Sequence, residues 1–336
     1  LHKAIRRQRQ MCIRDRYVPL ETRDDALIDV LYNVKNIAIF QEDIYIGSGE
    51  QLIVWDKYGK FKRVLSKKGN DPQSYLHFNH FMIWPNGDLS IASPIEIVTY
   101  SNSHQFINKK RCENVGYIEA ITLLNDSLYI IKCMPTPEQL RYRIINHHTG
   151  AIINSYDSII NCNRYISSFT NSFERYEGHI ISHGYQSNDI LECTLDSSKI
   201  RYKINVDNRI PPAGFYTQEG KEGMQLIQEE AEKGYIGHIP DYVESKETIL
   251  LSFKGKREDL NGIALIDKKD GNARVLENIK FDDNFRWLPK QFFSLDEGWC
   301  AMLMYPEDVL KKEEFARRFP GLDEESNPVL FIGKLR

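Results

Sequence analysis

The sequence contains little that identifies an enzyme or a membrane protein directly. No apolar run reaches the roughly 20 residues of a membrane-spanning helix. There is no Gly-x-Ser-x-Gly, no His-Glu-x-x-His and no phosphate-binding glycine loop, so no motif names a reaction. The net charge is only −3, which does not favour a nucleic-acid partner.

Cysteine is also scarce. Six cysteines occur in 336 residues, and none forms a Cys-x-x-Cys pair. Their spacings fit neither a zinc site nor a disulfide framework, and small buried thiols are the ordinary alternative. We therefore expect no metal ion and no other cofactor.

Residues that favour β-strands are abundant, with 18 Tyr and 16 Phe besides many Ile. Residues 35–66 contain four short apolar runs, each bounded by a polar turn. In the turn Asp56-Lys57-Tyr58-Gly59, Asp can accept hydrogen bonds from the following amides and Gly can adopt a positive φ. The pattern predicts a four-stranded antiparallel meander. Because residues 37–40 and 52–55 are apolar on both faces, other parts of the chain must cover both sides.

The same pattern occurs five more times along the chain. A short polar turn introduces the second strand of every unit, as in Asp43-Ile-Tyr-Ile, Asp88-Leu-Ser-Ile, Ser127-Leu-Tyr-Ile, Gly178-His-Ile-Ile, Glu247-Thr-Ile-Leu and Gly298-Trp-Cys-Ala. Four strands in about 40 to 50 residues, repeated radially, are typical of a β-propeller. The sequence therefore predicts an all-β fold, a six-bladed β-propeller of four-stranded antiparallel blades.

Two insertions interrupt this repeat. Residues 220–233 place Met224, Leu226 and Ile227 among acidic residues, which predicts an amphipathic helix that packs on the propeller. Residues 306–319 start with a proline and end at Pro320-Gly321, which predicts a second helix. We expect both to be short helical insertions beside the blades.

The ends of the chain are predicted to close the ring. The sixth unit has only three strands, at residues 290–295, 299–304 and 328–334. Residues 17–22 have no partner in the first unit, and Pro19 is compatible only with an edge strand. We therefore expect this N-terminal strand to form the outer edge of the last blade.

Residues 1–16 differ from the rest. They carry six Lys and Arg against one Asp, without apolar periodicity or the apolar core of a signal peptide. We interpret residues 1–16 as a non-native or disordered N-terminal segment and residues 17–336 as a single propeller domain. A signal segment for export would then be missing from this chain.

Two segments of the first unit carry a family resemblance. The hairpin Val54-Trp55-Asp56-Lys57-Tyr58-Gly59-Lys60-Phe61 and the connector Lys67-Lys68-Gly69-Asn70-Asp71-Pro72-Gln73-Ser74-Tyr75 resemble those of a six-bladed β-propeller family of Bacteroidetes. That family is related to NHL-repeat and TolB-like propellers. Asn70-Asp71 and Ser74 depart from its usual G-x-G-P-x-E-Y connector. Because many members are exported lipoproteins, the resemblance implies a periplasmic or cell-surface protein, with a lipid anchor in its complete form.

Candidate binding residues follow from the predicted architecture. Ligands of propellers bind where the inner strands converge on the axis, so residues at the starts of these strands are the candidates. Besides Asn36, they are His80, Glu119, Asn171, Asp241, Tyr242, Arg286 and Trp287. This mixture would suit a glycan or a peptide fragment, and ordinary loop residues are the alternative. His179 and His183 would share one strand face, but no third metal ligand is near in sequence.

These observations favour binding over catalysis. We expect a non-enzymatic, monomeric propeller that binds a small molecule, a glycan or a protein, and no nucleic acid. The alternative is a metal-dependent lactonase or lyase of the six-bladed class, with carboxylate, amide or imidazole ligands on the central axis.

Overall fold

The computed structural model of the protein describes residues 16–28, 34–65, 68–112, 116–134, 140–158, 173–183, 188–206, 209–212, 214–218, 220–221, 223–281 and 285–335. Strand β1 (Arg16–Pro19) comes first. The first blade follows with β2 (Val34–Phe40), β3 (Asp43–Ser48), β4 (Gln51–Trp55) and β5 (Phe61–Leu65). The second blade contains β6 (His80–Ile83), β7 (Leu89–Ser93), β8 (Glu96–Tyr100) and β9 (Phe106–Arg111).

The third and fourth blades repeat this antiparallel order. Blade 3 contains β10 (Ile118–Leu123), β11 (Leu128–Cys133), β12 (Leu140–Asn146) and β13 (Ile152–Ser158). Blade 4 contains β14 (Glu174–Tyr176), β15 (His179–His183), β16 (Asp189–Cys193) and β17 (Ser198–Lys203). The 3₁₀ turn Phe215–Thr217 and helix α1 (Gly223–Lys233) lead to the next blade.

Blade 5 departs from the pattern at its inner position. It contains β18 (Ile236–His238), β19 (Tyr242–Glu244), β20 (Thr248–Gly255), β21 (Gly262–Asp267) and β22 (Ala273–Val275), with the 3₁₀ turn Glu258–Leu260 before β21. Both β18 and β19 pair with the long strand β20. Two short strands therefore share the place that one inner strand fills in the other blades.

The last part of the chain completes blade 6. The two-stranded ribbon of β23 (Ile279–Lys280) and β24 (Arg286–Trp287) precedes it. Blade 6 has β25 (Phe292–Ser294), β26 (Trp299–Met304) and β27 (Val329–Lys334), with α2 (Pro306–Leu310) and α3 (Glu313–Ala316) inserted after β26. Its sheet order is β1-β27-β26-β25. The described strands thus confirm the predicted six-bladed β-propeller.

The turn at Asp56 forms as its sequence predicts. Oδ1 of Asp56 accepts the backbone N–H groups of Tyr58 and Lys60 at 2.8 and 2.9 Å. Gly59 has a φ of 81° and donates its N–H to the Asp56 carbonyl. The carboxylate and the left-handed glycine therefore set the β4–β5 register together.

The two apolar faces of β4 explain how the blades hold together. Residues 52–55 are fully buried. Ile53 and Trp55 pack with Leu330 of blade 6, whereas Leu52 and Val54 belong to the cluster that contains Phe81 of blade 2. Because alternate side chains of a strand point to opposite faces, one strand contributes to both blade interfaces.

The predicted N-terminal strand closes the ring. β1 pairs antiparallel with β27, with Tyr17 opposite Phe331 and Val18 opposite Leu330. The pairing continues only to the N–H of Leu20, 3.4 Å from the Pro328 carbonyl. The strand therefore spans Arg16–Pro19 rather than residues 17–22. Its first residue, Arg16, belongs to residues 1–16, the segment interpreted as lying outside the domain.

The helical insertions differ in detail from the prediction. In α1, Leu226 is buried and Ile227 is half-buried, but Met224 is 71% exposed and does not pack on the blades. The predicted helix at 306–319 is instead the pair α2 and α3, because Lys312 has a non-helical φ of −116° and ψ of 87°. In a continuous helix Val309 and Phe315 would point about 120° apart. The break allows both to be buried in one cluster.

Candidate functional site

The inner strands enclose a cavity of about 250 Å³ on the propeller axis. Its lining comes from blades 1, 2, 3, 4 and 6. The apolar part of this lining includes Ile39, Ile83, Ile121, Leu123, Phe173 and Phe293, and the polar part includes Asn36, His80, Thr122, Arg175, Ser294 and Asp296. A concave cavity that combines apolar side chains with convergent polar groups is a common form of small-molecule site.

Two of the residues selected from the sequence line this cavity. Asn36, in β2, donates Nδ2–H to the Phe81 carbonyl at 3.0 Å, and its buried Oδ1 has no hydrogen-bond partner among the described residues. His80, the first residue of β6, has a buried Nδ1 that likewise lacks a partner there. Burial lowers the pKa of His80 to about 4, so its imidazole is neutral at physiological pH.

A turn from blade 6 reaches blade 4 at one end of the cavity. Asp296 and Glu297, between β25 and β26, have positive φ values of 67° and 52°. Oδ1 of Asp296 accepts the backbone N–H of Arg175 in blade 4 at 2.8 Å, and the N–H of Glu297 donates to the Arg175 carbonyl at 2.8 Å. Blades 4 and 6 are therefore joined directly, past the three-residue inner strand β19.

The side chain of Arg175 extends this connection to blade 3, where Nη2 donates a hydrogen bond to the Leu123 carbonyl. Arg175 thus links three blades while its side chain lines the cavity. Burial raises the pKa of Asp296, and the charge of Arg175 opposes that effect. The cavity therefore contains an arginine and a carboxyl group at one end and a neutral imidazole on its wall.

Glu119 lies at an irregularity of β10. The β10–β11 register shifts between Ile118 and Ala120, so Glu119 occupies a β-bulge. Its Oε2 is buried without a hydrogen-bond partner among the described residues. Burial raises the pKa of Glu119 to about 7, although the charges of Lys132 and Arg141 lower it. The carboxyl group therefore titrates near neutral pH.

Histidines of blades 4 and 5 lie in the same interior region. His183 is 4% exposed, and its carbonyl accepts a hydrogen bond from Lys132 Nζ at 3.3 Å. Burial, aided by the charge of Lys132, lowers the pKa of His183 to about 3. Burial and the neighbouring His183 lower the pKa of His238 to about 3 as well. Both imidazoles are therefore neutral at physiological pH.

The predicted residues of blade 5 are part of its interior. Asp241 is 1% exposed, and its Oδ2 accepts a hydrogen bond from Ser252 Oγ at 2.6 Å. The hydroxyl of Tyr242 donates to Glu244 Oε2 at 2.8 Å. Glu244 also binds Arg201 and Lys268 at 3.0 and 2.6 Å. Neither Asp241 nor Tyr242 lines the axial cavity.

The remaining candidates lie elsewhere. Arg286 and Trp287 form β24, which pairs with β23. Arg286 is exposed, whereas Trp287 is 7% exposed in the hydrophobic cluster that includes Phe281. Neither lines the axial cavity. Asn171 lies outside the described residues.

No group of three or more His, Cys, Asp or Glu among the described residues is arranged to hold a metal ion. His179 and His183, the pair considered from the sequence, have different surroundings. His179 is exposed, and its Nδ1 lies 3.0 Å from Oε1 of Glu192, whereas His183 is buried.

Arg175 and Asp296, the polar residues at the end of the cavity where the blade 6 turn reaches blade 4, are not among the candidates selected from the sequence. Arg175 is the second residue of β14, and Asp296 lies in a turn of blade 6. Neither stands at the start of an inner strand, where the selected candidates lie. The polar turn Asp296-Glu297-Gly298 was a visible signal, but nothing in it indicates that it reaches blade 4.

The fold and the cavity define the protein as a six-bladed β-propeller with a small axial site. Residues 14–334 match the family described as "Domain of unknown function (DUF4934)", and the chain belongs to that family. No curated protein matches it.

Solved structures support the fold at low sequence identity. A protein of Bacteroides fragilis that its name describes as a candidate exported protein is 12% identical, with a TM-score of 0.78 over 96% of this chain and 95% of that chain. A member of the DUF4221 family from Bacteroides vulgatus is 11% identical, with a TM-score of 0.54 over 96% of both chains. The WD40 domain of Neurospora crassa Pan2 is 11% identical, with a TM-score of 0.52 over 97% of both.

At these identities the likeness concerns the fold alone. In the part of the chain that the structure describes, no helix is long and apolar enough to cross a membrane.

Proposed function

We propose that this protein is a non-enzymatic binding propeller and that its axial cavity takes a small organic ligand, a glycan or a peptide fragment. The observation that carries the proposal is the cavity itself, where apolar side chains of five blades surround a few polar groups. Apolar walls contribute affinity, and Asn36, His80 and Arg175 provide polar atoms that can orient a ligand.

The surrounding contacts suit a preformed site. Strand pairing fixes the wall residues, and the Asp296 and Glu297 contacts with Arg175 fix the backbone at one end. A rigid site loses little conformational entropy when a ligand binds.

We also propose that the protein acts outside the cytoplasm, in the periplasm or at the cell surface, as a lipid-anchored protein. The likeness to the Bacteroides fragilis protein, which its name describes as a candidate exported protein, supports export. The resemblance of residues 54–61 and 67–75 to NHL-like propellers of Bacteroidetes supports the same location.

A cavity-filling variant tests the proposed site. The full chain is screened against glycans and peptide fragments by calorimetry, and each ligand found is measured again with Ile39→Trp. Ile39 is 42% exposed and lines the cavity, so an indole there should occupy the ligand's space and reduce affinity at least tenfold.

The matched control is Ile107→Trp. Ile107 is 45% exposed on β9, the outer strand of blade 2, so this change adds the same group away from the axis. Equal affinity of both variants and the wild type would place the ligand elsewhere. Metal analysis and turnover assays of the bound compounds would reveal the alternative, a metal-dependent lactonase or lyase.

A further inference from the structure

Arg175 has a backbone that is fixed and a side chain that faces the cavity. Asp296 and Glu297 bind its N–H and carbonyl groups, each at 2.8 Å. Its side chain lines the axial cavity, and Nη2 donates to the Leu123 carbonyl. A guanidinium has five N–H donors, so this single bond leaves most of its capacity available.

The Arg175 guanidinium forms no close ion pair among the described residues, although its charge acts on the carboxyl group of Asp296. Oδ1 of Asp296 accepts the backbone N–H of Arg175 rather than a guanidinium N–H. No described carboxylate oxygen lies within ion-pair distance of the guanidinium.

Apolar residues line the same cavity as this cation. Ile121, Leu123, Phe173 and Phe293 belong to the same cavity lining. A charge beside apolar walls interacts more strongly with an opposite charge than it would in water. The planar guanidinium matches a carboxylate with two parallel hydrogen bonds.

We infer that the axial cavity selects a small carboxylate with an apolar body, whose carboxylate binds Arg175 while its apolar part contacts the aliphatic and aromatic walls. This inference rests on the proposed function and narrows its ligand class. The same chemistry could come from the C-terminal residue of a short peptide or from a free aliphatic acid. A neutral glycan would offer neither the charge nor the apolar body.

Matched ligand pairs test the inference by calorimetry on the full chain at pH 7.5. N-acetyl-leucine and N-acetyl-leucinamide differ only in the terminal group, which is a carboxylate in the first and a neutral amide in the second. The pair of 4-methylpentanoate and its amide makes the same comparison without the N-acetyl amide of a peptide end. We expect each acid to bind at least tenfold more tightly than its amide. The stronger of the two acids identifies the source as a peptide end or a free acid.

The arginine is then changed. Arg175→Gln should reduce the acid-to-amide preference to about one, and Arg175→Lys, which retains the charge, should keep part of it. Arg111→Gln, on the exposed end of β9, removes an arginine away from the axis and should leave the preference unchanged. Circular dichroism establishes that each variant is folded.

Three results would overturn the inference: equal binding of acid and amide to the wild type, an acid preference that survives in folded Arg175→Gln, or no binding of either acid. If Arg175→Gln does not fold, the ratio of acid to amide affinity in the wild type and in Arg175→Lys still tests the inference. A neutral glycan that binds and is lost in Ile39→Trp would overturn this inference while supporting the proposed function. Failure of every ligand in the wider screen would overturn both.

Discussion

Oδ1 of Asn327 accepts the backbone N–H of Ile28 at 2.9 Å, although 299 positions separate the two residues. Nδ2 of the same side chain donates to the carbonyls of Glu21 and Ala26 at 3.0 and 2.9 Å. Asn327 is 2% exposed. One buried amide therefore holds the segment between β1 and the first blade against the start of β27.

The first prediction follows from these bonds. Asn327→Ala removes these three hydrogen bonds and leaves the N–H of Ile28 and the carbonyl of Ala26, both in buried residues, without this partner. We therefore expect a loss of about 3 kcal/mol in the free energy of unfolding. Urea denaturation measures it. Asn70→Ala, at an exposed position before Asp71, is the control and should change stability by less than about 0.5 kcal/mol. A similar small loss for Asn327→Ala would mean that the segment is held by other contacts.

The second prediction concerns the closure of the ring. Val18 and Leu330 are directly opposite in the β1–β27 pair, and both are buried. Opposite residues of antiparallel strands have Cα separations that a disulfide can span. The double variant Val18→Cys/Leu330→Cys should therefore form a disulfide and be about 2–4 kcal/mol more stable when oxidised than when reduced.

The oxidised and reduced forms of the double variant both lack the two aliphatic side chains, so the packing energy lost with these side chains cancels when the two stabilities are compared. Val18→Cys alone, with Leu330 retained, is the control and should show no such redox dependence. A double variant that never crosslinks, with both thiols still reactive under oxidising conditions, would contradict the observed register.

The third prediction uses the titration of Glu119. Burial raises its folded pKa to about 7 from the ordinary 4.5, against the charges of Lys132 on β11 and Arg141 on β12. A raised folded pKa means that stability is fully present below pH 4.5 and is lost as pH rises through 7. The difference corresponds to about 3 kcal/mol.

Glu119→Gln cannot ionise, so its free energy of unfolding should fall by about 3 kcal/mol less than that of the wild type between pH 4.5 and 8. Denaturation at several pH values measures this difference. Glu314→Gln, at an exposed position of α3, should follow the wild type. If the stability of Glu119→Gln had the same pH dependence as that of the wild type, the folded structure would not raise the pKa of Glu119.

The predictable part of this structure is local. The Asp56 turn and the strand alternation of residues 52–55 depend on near neighbours in sequence, and both predictions are confirmed. The helix at 306–319 was wrong in detail because burial of Val309 and Phe315 in one cluster breaks it. Trp287 was selected as a binding residue from its place in the chain, whereas packing buries it beside Phe281.

The sequence by itself determined the six-bladed propeller and its closure by the N-terminal strand. Apolar alternation and turn residues act over a few positions and define the strands of each blade. The last blade has only three strands of its own, so the unpaired N-terminal strand is the segment that can complete it. Only the tertiary structure decided the chemistry of the axial cavity. Arg175, Leu123 and Asp296 come from three blades, and they meet because a turn of blade 6 crosses past a short inner strand. No local pattern encodes that contact, since it depends on how all the blades pack around one axis.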